Sequence, residues 1–149
     1  MAPKEKDILR ERIVELARRQ IGKPYLYGAT PSEAPRRFDC SSFVQYLYRK
    51  LGIDLPRNSI DQAGTGRRVR LPYRKNLEVG DLIFLRGRVG RYNRRYPQGV
   101  GHVILVTGPD EVVHAKFRKV GGKDGGEVKR QRLSTILKRK DITVVKRII

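Results

Sequence analysis

The stretch RFDCSSFVQYLYRKLG, residues 37–52, decides the architecture. Phe43, Val44, Leu47, Tyr48 and Leu51 recur at helical spacing, so Cys40 to Leu51 is read as an amphipathic helix with one buried face. Gly52 and Pro56 close it. Cys40 shares the face of Phe43, Val44, Leu47 and Leu51, because side chains three and four apart stack along one side. Its thiol therefore points toward whatever packs on the helix, from the first turn. There the unpaired N–H groups and the positive end of the helix dipole favour thiolate over thiol. The same N–H groups can bind the oxyanion formed when a thiolate attacks an amide carbonyl. A lone cysteine on an apolar face is equally an ordinary small core residue.

Working outward, Asp7 to Ile21 reads as an earlier helix, with Leu9, Ile13, Leu16 and Ala17 as its stripe and Gly22 and Pro24 as its end. Downstream, short β-like runs cover Asp81–Leu85, His102–Thr107, Glu111–Lys116, Val128–Arg132 and Ile142–Ile149. Two helices followed by a run of strands predict an α+β fold in which the cysteine-bearing helix packs on an antiparallel sheet. The length of 149 residues suits one domain over 1–149.

The two histidines fall in one expected hairpin. Gly108-Pro109-Asp110 separates GHVILVT from EVVHAK and is a strong turn signal. With those three residues as the loop, Thr107 faces Glu111 and Ile104 faces His114. His102 shares the face of Ile104, so the two imidazoles become diagonal neighbours about 7–8 Å apart by backbone geometry. A one-residue slip would send them to opposite faces. A general base needs a partner to hold its tautomer, and here His102 is the base and His114 the partner. Two independent sheet histidines without chemistry are the plainer alternative. With Cys40, all three are expected at the helix–sheet boundary.

Composition limits the remaining possibilities. One cysteine allows no intrachain disulfide and no Cys-rich zinc site, and hydrolysis by a thiol needs neither a metal nor an organic cofactor, so none is expected. No apolar run is long enough to span a bilayer, so no transmembrane segment is expected. MAPKEKDILRERIVELARRQ has no signal-peptide core, so any export needs a leader outside this sequence or another route; a cytoplasmic location is the alternative. The net charge is +19, rising along the chain from +4 over residues 1–66 to +6 over 67–115 and +9 over 116–149. The clusters Arg67/Arg68/Arg70, Arg91/Arg94/Arg95 and Lys138/Arg139/Lys140 have the charge to track nucleic-acid phosphates, yet no known nucleic-acid-binding motif accompanies them, and no specific nucleic acid is expected.

Taken in order, GKPYLYGA, FDCSSFVQYLYRKLGIDLPRNSIDQ, LEVGDLIFL, GVGHVILVTG and EVVHA resemble the NlpC family of papain-like cell-wall cysteine peptidases, from about Arg12 to Ala115. The resemblance implies that Cys40 is the nucleophile, His102 the base and His114 the orienting residue. It places Tyr25 near the oxyanion and Asp39, Ser41 and Ser59 along the substrate's N-terminal side. Arg57 matches the family's Leu-Pro-Arg arginine, as a structural or a substrate-contacting residue. The implied reaction is hydrolysis of an amide in peptidoglycan stem peptides, between γ-D-glutamate and the following diamino acid, by a monomer without cofactor. Anionic wall polymers are implied partners of the positive charge. Two alternatives stand beside this reading: a basic module of the same fold that binds wall polymer or nucleic acid, and the same triad acting on another amide as an amidase or acyltransferase. Ser42 and Ala29 replace glycines common in the family. The segment RGRVGRYNRRYPQGV, residues 86–100, is longer and more basic than the family pattern and adjoins His102. It is expected to cover the cleft, bind an anionic group or gate entry.

Overall fold

Asp39 starts the central helix as a true cap. Its Oδ1 accepts the Ser42 amide at 2.8 Å, while Ser42 Oγ accepts the Asp39 amide at 2.9 Å. The computed structural model describes residues 1–88 and 90–149. In chain order these form α1 (Pro3–Arg19), a single 3-10 turn (Pro31–Glu33), α2 (Cys40–Lys50), α3 (Ser59–Gln62), β1 (Arg67–Arg68), α4 (Tyr73–Asn76), β2 (Leu82–Leu85), β3 (His102–Gly108), β4 (Glu111–Val120), β5 (Lys123–Gln131), α5 (Leu133–Leu137) and β6 (Ile142–Arg147). The expected α+β class holds. The strands make one six-stranded sheet, ordered β1-β6-β2-β3-β4-β5, and every pairing is antiparallel.

Alternation along the strands builds two cores. Phe84, Val103, Leu105, Val113 and Ala115 face α1 and α2, where Ile13, Ala17, Phe43, Val44 and Leu47 meet them. Ile83, Leu85, Ile104, Val106 and Val112 face the other way, under Leu133 and Ile136 of α5. A buried pair locks the sheet: Arg147 Nε and Nη2 donate to the two oxygens of Asp81, each at 2.9 Å. The Tyr48 hydroxyl donates to the Gly80 carbonyl and ties α2 to the start of β2.

The departures from the sequence expectations are local. α1 begins four residues early, because Pro3 occupies a first-turn position where its missing N–H costs nothing. The β4–β5 hairpin runs well past Lys116. Gly121 and Gly122, with φ of +58° and +78°, turn the chain in two residues. The strands there carry exposed charges on both faces and so lack a hydrophobic alternation. α3, β1, α4 and α5 are not among the expected elements; each is too short for periodicity to register. The turn between β3 and β4 has two residues, Pro109 and Asp110, since Gly108 pairs with Glu111. The extra residue is absorbed as an irregularity between Val106 and Gly108. Leu105 pairs with Val113 and Val106 with Val112, the register expected for the histidines.

Candidate active site

The ladder between β3 and β4 stops at Leu105 and Val113, although both strands continue. Beyond that point the Val103 amide no longer serves the β3–β4 ladder and faces the Cys40 sulfur, whose thiolate it and the Ser41 amide favour. Cys40 belongs to the core between α2 and the sheet and is only 7% exposed. By alternation His102 and His114 lie on the opposite face, with Ile104 and Val112. This corrects the expectation that all three face the helix–sheet boundary. The thiol meets the His102–Val103 backbone where the two strands part, and the histidines approach from the far side.

His102 Nε2 lies 2.7 Å from His114 Nδ1, and His114 Nε2 lies 2.5 Å from Gln131 Oε1. An amide oxygen only accepts, so His114 carries its proton on Nε2 and offers the Nδ1 lone pair. His102 therefore donates from Nε2, which leaves its Nδ1 as the open lone pair. Gln131 was not singled out by sequence reasoning. It faces Val112 across the β4–β5 ladder, and its place depends on the two-residue turn at Gly121-Gly122.

Electrostatics set the resting protonation. Burial, with the Asp39 carboxylate next, pushes the Cys40 thiol up to about 11, against the pull of the two amides and Arg57. The helix-terminus effect expected to favour thiolate is thus outweighed by desolvation. Burial, then His114, Arg139 and Lys116, hold His102 well below the usual histidine range. Burial brings His114 down to about 4 despite its bond to Gln131, with Lys116 and Lys129 adding to the effect. A neutral thiol beside neutral imidazoles is the resting form at neutral pH.

The remaining expected residues cluster on the other side of the thiol. Tyr25 bridges to Phe38, and its amide bonds the Gly126 carbonyl at 3.0 Å. Its ring meets Phe117 edge-on with centroids 5.9 Å apart. Burial, then Cys40 and Asp39, raise the Tyr25 hydroxyl above its ordinary range, so it stays a protonated donor beside the thiol. Asp39 Oδ2 accepts the Gly28 amide at 3.1 Å and Arg57 Nη2 at 2.8 Å. Arg57 also donates to Ser41 Oγ at 2.8 Å and to the Ala29 carbonyl at 2.6 Å. Its guanidinium is thereby engaged within the protein. Ser59 opens α3 and is half-buried. Fully buried Gln62 of the same helix donates to the Ser41 carbonyl at 3.0 Å and the Pro56 carbonyl at 2.8 Å, pinning the first turn of α2.

The basic segment 86–100, of which residue 89 lies outside the described residues, folds back on itself. Arg91 and Val100 exchange amide bonds of 2.9 and 2.8 Å. Tyr96 is buried and its hydroxyl donates to the Ala63 carbonyl at 2.5 Å. A Cβ on Gly101 would lie 2.5 Å from the Arg86 carbonyl oxygen, so the ends of the segment close tightly beside His102. Its tip is thus anchored near α3.

A thiol at the start of a helix, packed on an antiparallel sheet beside a strand-borne histidine pair, defines a papain-like domain of the cysteine-peptidase type. The chain belongs to the NlpC/P60 family, which matches residues 22–139. It is 33% identical over 105 residues to the gamma-DL-glutamyl hydrolase of Bacillus subtilis, covering 69% of this chain and 22% of that protein. It is also 33% identical over 105 residues to a probable endopeptidase of Corynebacterium glutamicum, covering 70% of this chain and 42% of the other. The chain thus spans well under half the length of these relatives. Among solved structures it is similar to the peptidoglycan hydrolase RipB of Mycobacterium tuberculosis, at TM-score 0.72 and 27% identity, covering all of this chain and 69% of that one. No helix is long and apolar enough to cross a membrane among the described residues.

Proposed function

We propose that the protein is a cysteine endopeptidase that hydrolyses an amide of peptidoglycan stem peptides, between γ-D-glutamate and the following diamino acid. The observation that carries this reading is the line His102–His114–Gln131, which leaves His102 Nδ1 as the open acceptor, on the strand whose Val103 amide faces the helix-borne thiol. The names of the Bacillus subtilis gamma-DL-glutamyl hydrolase and the Corynebacterium glutamicum probable endopeptidase support the general reaction, and the peptidoglycan hydrolase RipB supports the substrate class.

Cys40 gives its proton to His102 Nδ1 as sulfur bonds the scissile carbonyl carbon. The resulting oxyanion accepts from the amides at the start of α2 and from the Tyr25 hydroxyl. The C–N bond then breaks, and His102 hands the proton to the leaving amine. A water gives its proton back to His102 as its oxygen attacks the thioester. The S–C bond breaks and the thiol is restored. His114 and Gln131 hold the His102 tautomer throughout. Arg57 and Asp39 shape the wall that receives the acyl side, with Ser41 and Ser59 on its surface. Action at the cell wall follows from the substrate. The charge of +19 draws the protein to anionic wall polymers through a long-range, salt-sensitive field.

Mass spectrometry of L-Ala-γ-D-Glu-diaminopimelate peptides incubated with the wild type and with Cys40→Ala tests the reading. Fragments split after γ-D-glutamate, absent with the variant, are expected. Intact peptides, or equal cleavage by Cys40→Ala, would overturn it.

A further inference from the structure

An open cavity of about 670 Å³ is lined by Arg86, Gln98, Arg139, Lys140, Asp141 and Thr143. Gly87 links it to His102: its amide donates to Asp141 Oδ2 at 3.3 Å, a Cβ built on it would lie 3.7 Å from the His102 Cβ, and the charges of Arg139 and Asp141 both act on that imidazole. The framework is rigid. Asp141 holds the Arg139 guanidinium through both oxygens, at 2.8 and 2.9 Å, and its backbone carbonyl accepts the Arg86 amide at 2.9 Å. Thr143 Oγ1 donates to the Gly99 carbonyl at 2.6 Å, closing the cavity against the basic segment. Asp141 is therefore saturated by Arg139. Arg86 and Lys140 have no carboxylate partner among the described residues, and both are exposed. Two uncommitted cations thus converge on a cavity that contains one already neutralised acid.

Resting on the hydrolase reading above, we propose that this cavity is an anion subsite for the leaving amino acid, binding a side-chain carboxylate of the diamino acid released as the amine. The direction follows from the chemistry. His102 must protonate the leaving nitrogen, so the group attached to that nitrogen departs over the residues that surround His102. The acyl side lies across the thiol, where Tyr25, Asp39, Ser41 and Arg57 are grouped. A carboxylate in the cavity gains charge-assisted hydrogen bonds from Arg86 and Lys140, and a guanidinium can hold both of its oxygens. A leaving residue with a neutral side-chain end forfeits them.

The test compares L-Ala-γ-D-Glu-diaminopimelate with the same peptide amidated at the far carboxyl of diaminopimelate, which preserves length and shape. Binding is measured by calorimetry on Cys40→Ala and cleavage on the wild type. The free-carboxylate peptide is expected to bind Cys40→Ala about tenfold more tightly. Adding Arg86→Gln and Lys140→Gln is expected to level the two, with an unchanged unfolding midpoint as the control for folding. Equal affinity of the two peptides, binding of neither, or a preference that survives both substitutions would overturn the subsite. A glycerol-phosphate polymer whose binding depends on Arg86 and Lys140, while the peptides bind equally, would assign the cations to wall-polymer phosphate and overturn the proposal. If the preference is present but the wild type cleaves neither peptide, the subsite stands and the hydrolase reading falls.

Discussion

Lowering the pH from 7.5 to 4 is expected to remove about 3 kcal/mol of folding stability through His114 alone. The side chain is 2% exposed, and burial brings its proton affinity from the ordinary 6.5 to about 4. The unfolded chain therefore binds a proton between about pH 6.5 and 4 that the folded protein refuses. Stability falls with falling pH across that window, at about 1.4 kcal/mol per pH unit, and levels off below pH 4. Against a typical total of about 5–15 kcal/mol, the loss is large. His102 is lowered as well, and carboxylates titrate in the same range, so the wild type alone does not isolate the residue. The comparison is with His114→Asn, which keeps a polar partner for His102 but cannot take up a proton. Urea unfolding of both proteins at pH 7.5, 5.5 and 4, at constant ionic strength, gives the two losses. The wild type should lose about 3 kcal/mol more than the variant. Parallel losses would mean that His114 titrates normally in the fold and that the His102–His114 pair is not held neutral.

Other consequences follow from the same site. Gln131→Leu leaves the buried His114 Nε2–H unpaired, which should cost about 1–3 kcal/mol and lower kcat/KM. Gln131→Glu restores an acceptor and moves the acid limb of the pH–kcat/KM profile upward, because a carboxylate favours the imidazolium; an unshifted profile would remove Gln131 from the relay. Arg57→Met strips the largely buried Asp39 of its ion pair and should lower stability by about 2 kcal/mol in chemical denaturation, with Ser41 freed at the start of α2. Because the resting thiol is pushed up to about 11, alkylation of Cys40 by iodoacetamide should keep accelerating from pH 8 to 10. A rate already at its plateau by pH 7 would indicate a standing thiolate–imidazolium pair.

The parts of this protein that were legible in its residues are those governed by local rules. α2 begins at Cys40 as read, because Asp39 is a capping residue and the apolar spacing behind it is uninterrupted. The pairing of His102 with His114 was legible for a subtler reason. The turn was read one residue too long, but the extra residue reappears as the irregularity between Val106 and Gly108, and the two effects cancel at Leu105 and Val113. Gln131 was not legible as a partner of His114. Which of its neighbours it faces is set by the glycine turn at 121–122, and residues 117–126 carry too little apolar pattern for periodicity to extend the strands.

The class of fold and the candidate reactive groups are readable from the sequence by itself. A single cysteine at a capped helix start, two histidines about one hairpin and an ordered series of blocks need no coordinates to be recognised, since each depends on neighbours along the chain. Burial and direction were decided only by tertiary structure. By alternation the histidines fall on the face of the sheet away from α2, and the thiol meets the backbone next to His102, at Val103, where β3 and β4 part beyond Leu105 and Val113. The thiol rests protonated because desolvation, which depends on everything packed around it, outweighs the helix terminus that its sequence position supplies. Spacing along a chain specifies which side chains share an element. Only packing specifies how much water they lose and which face they meet.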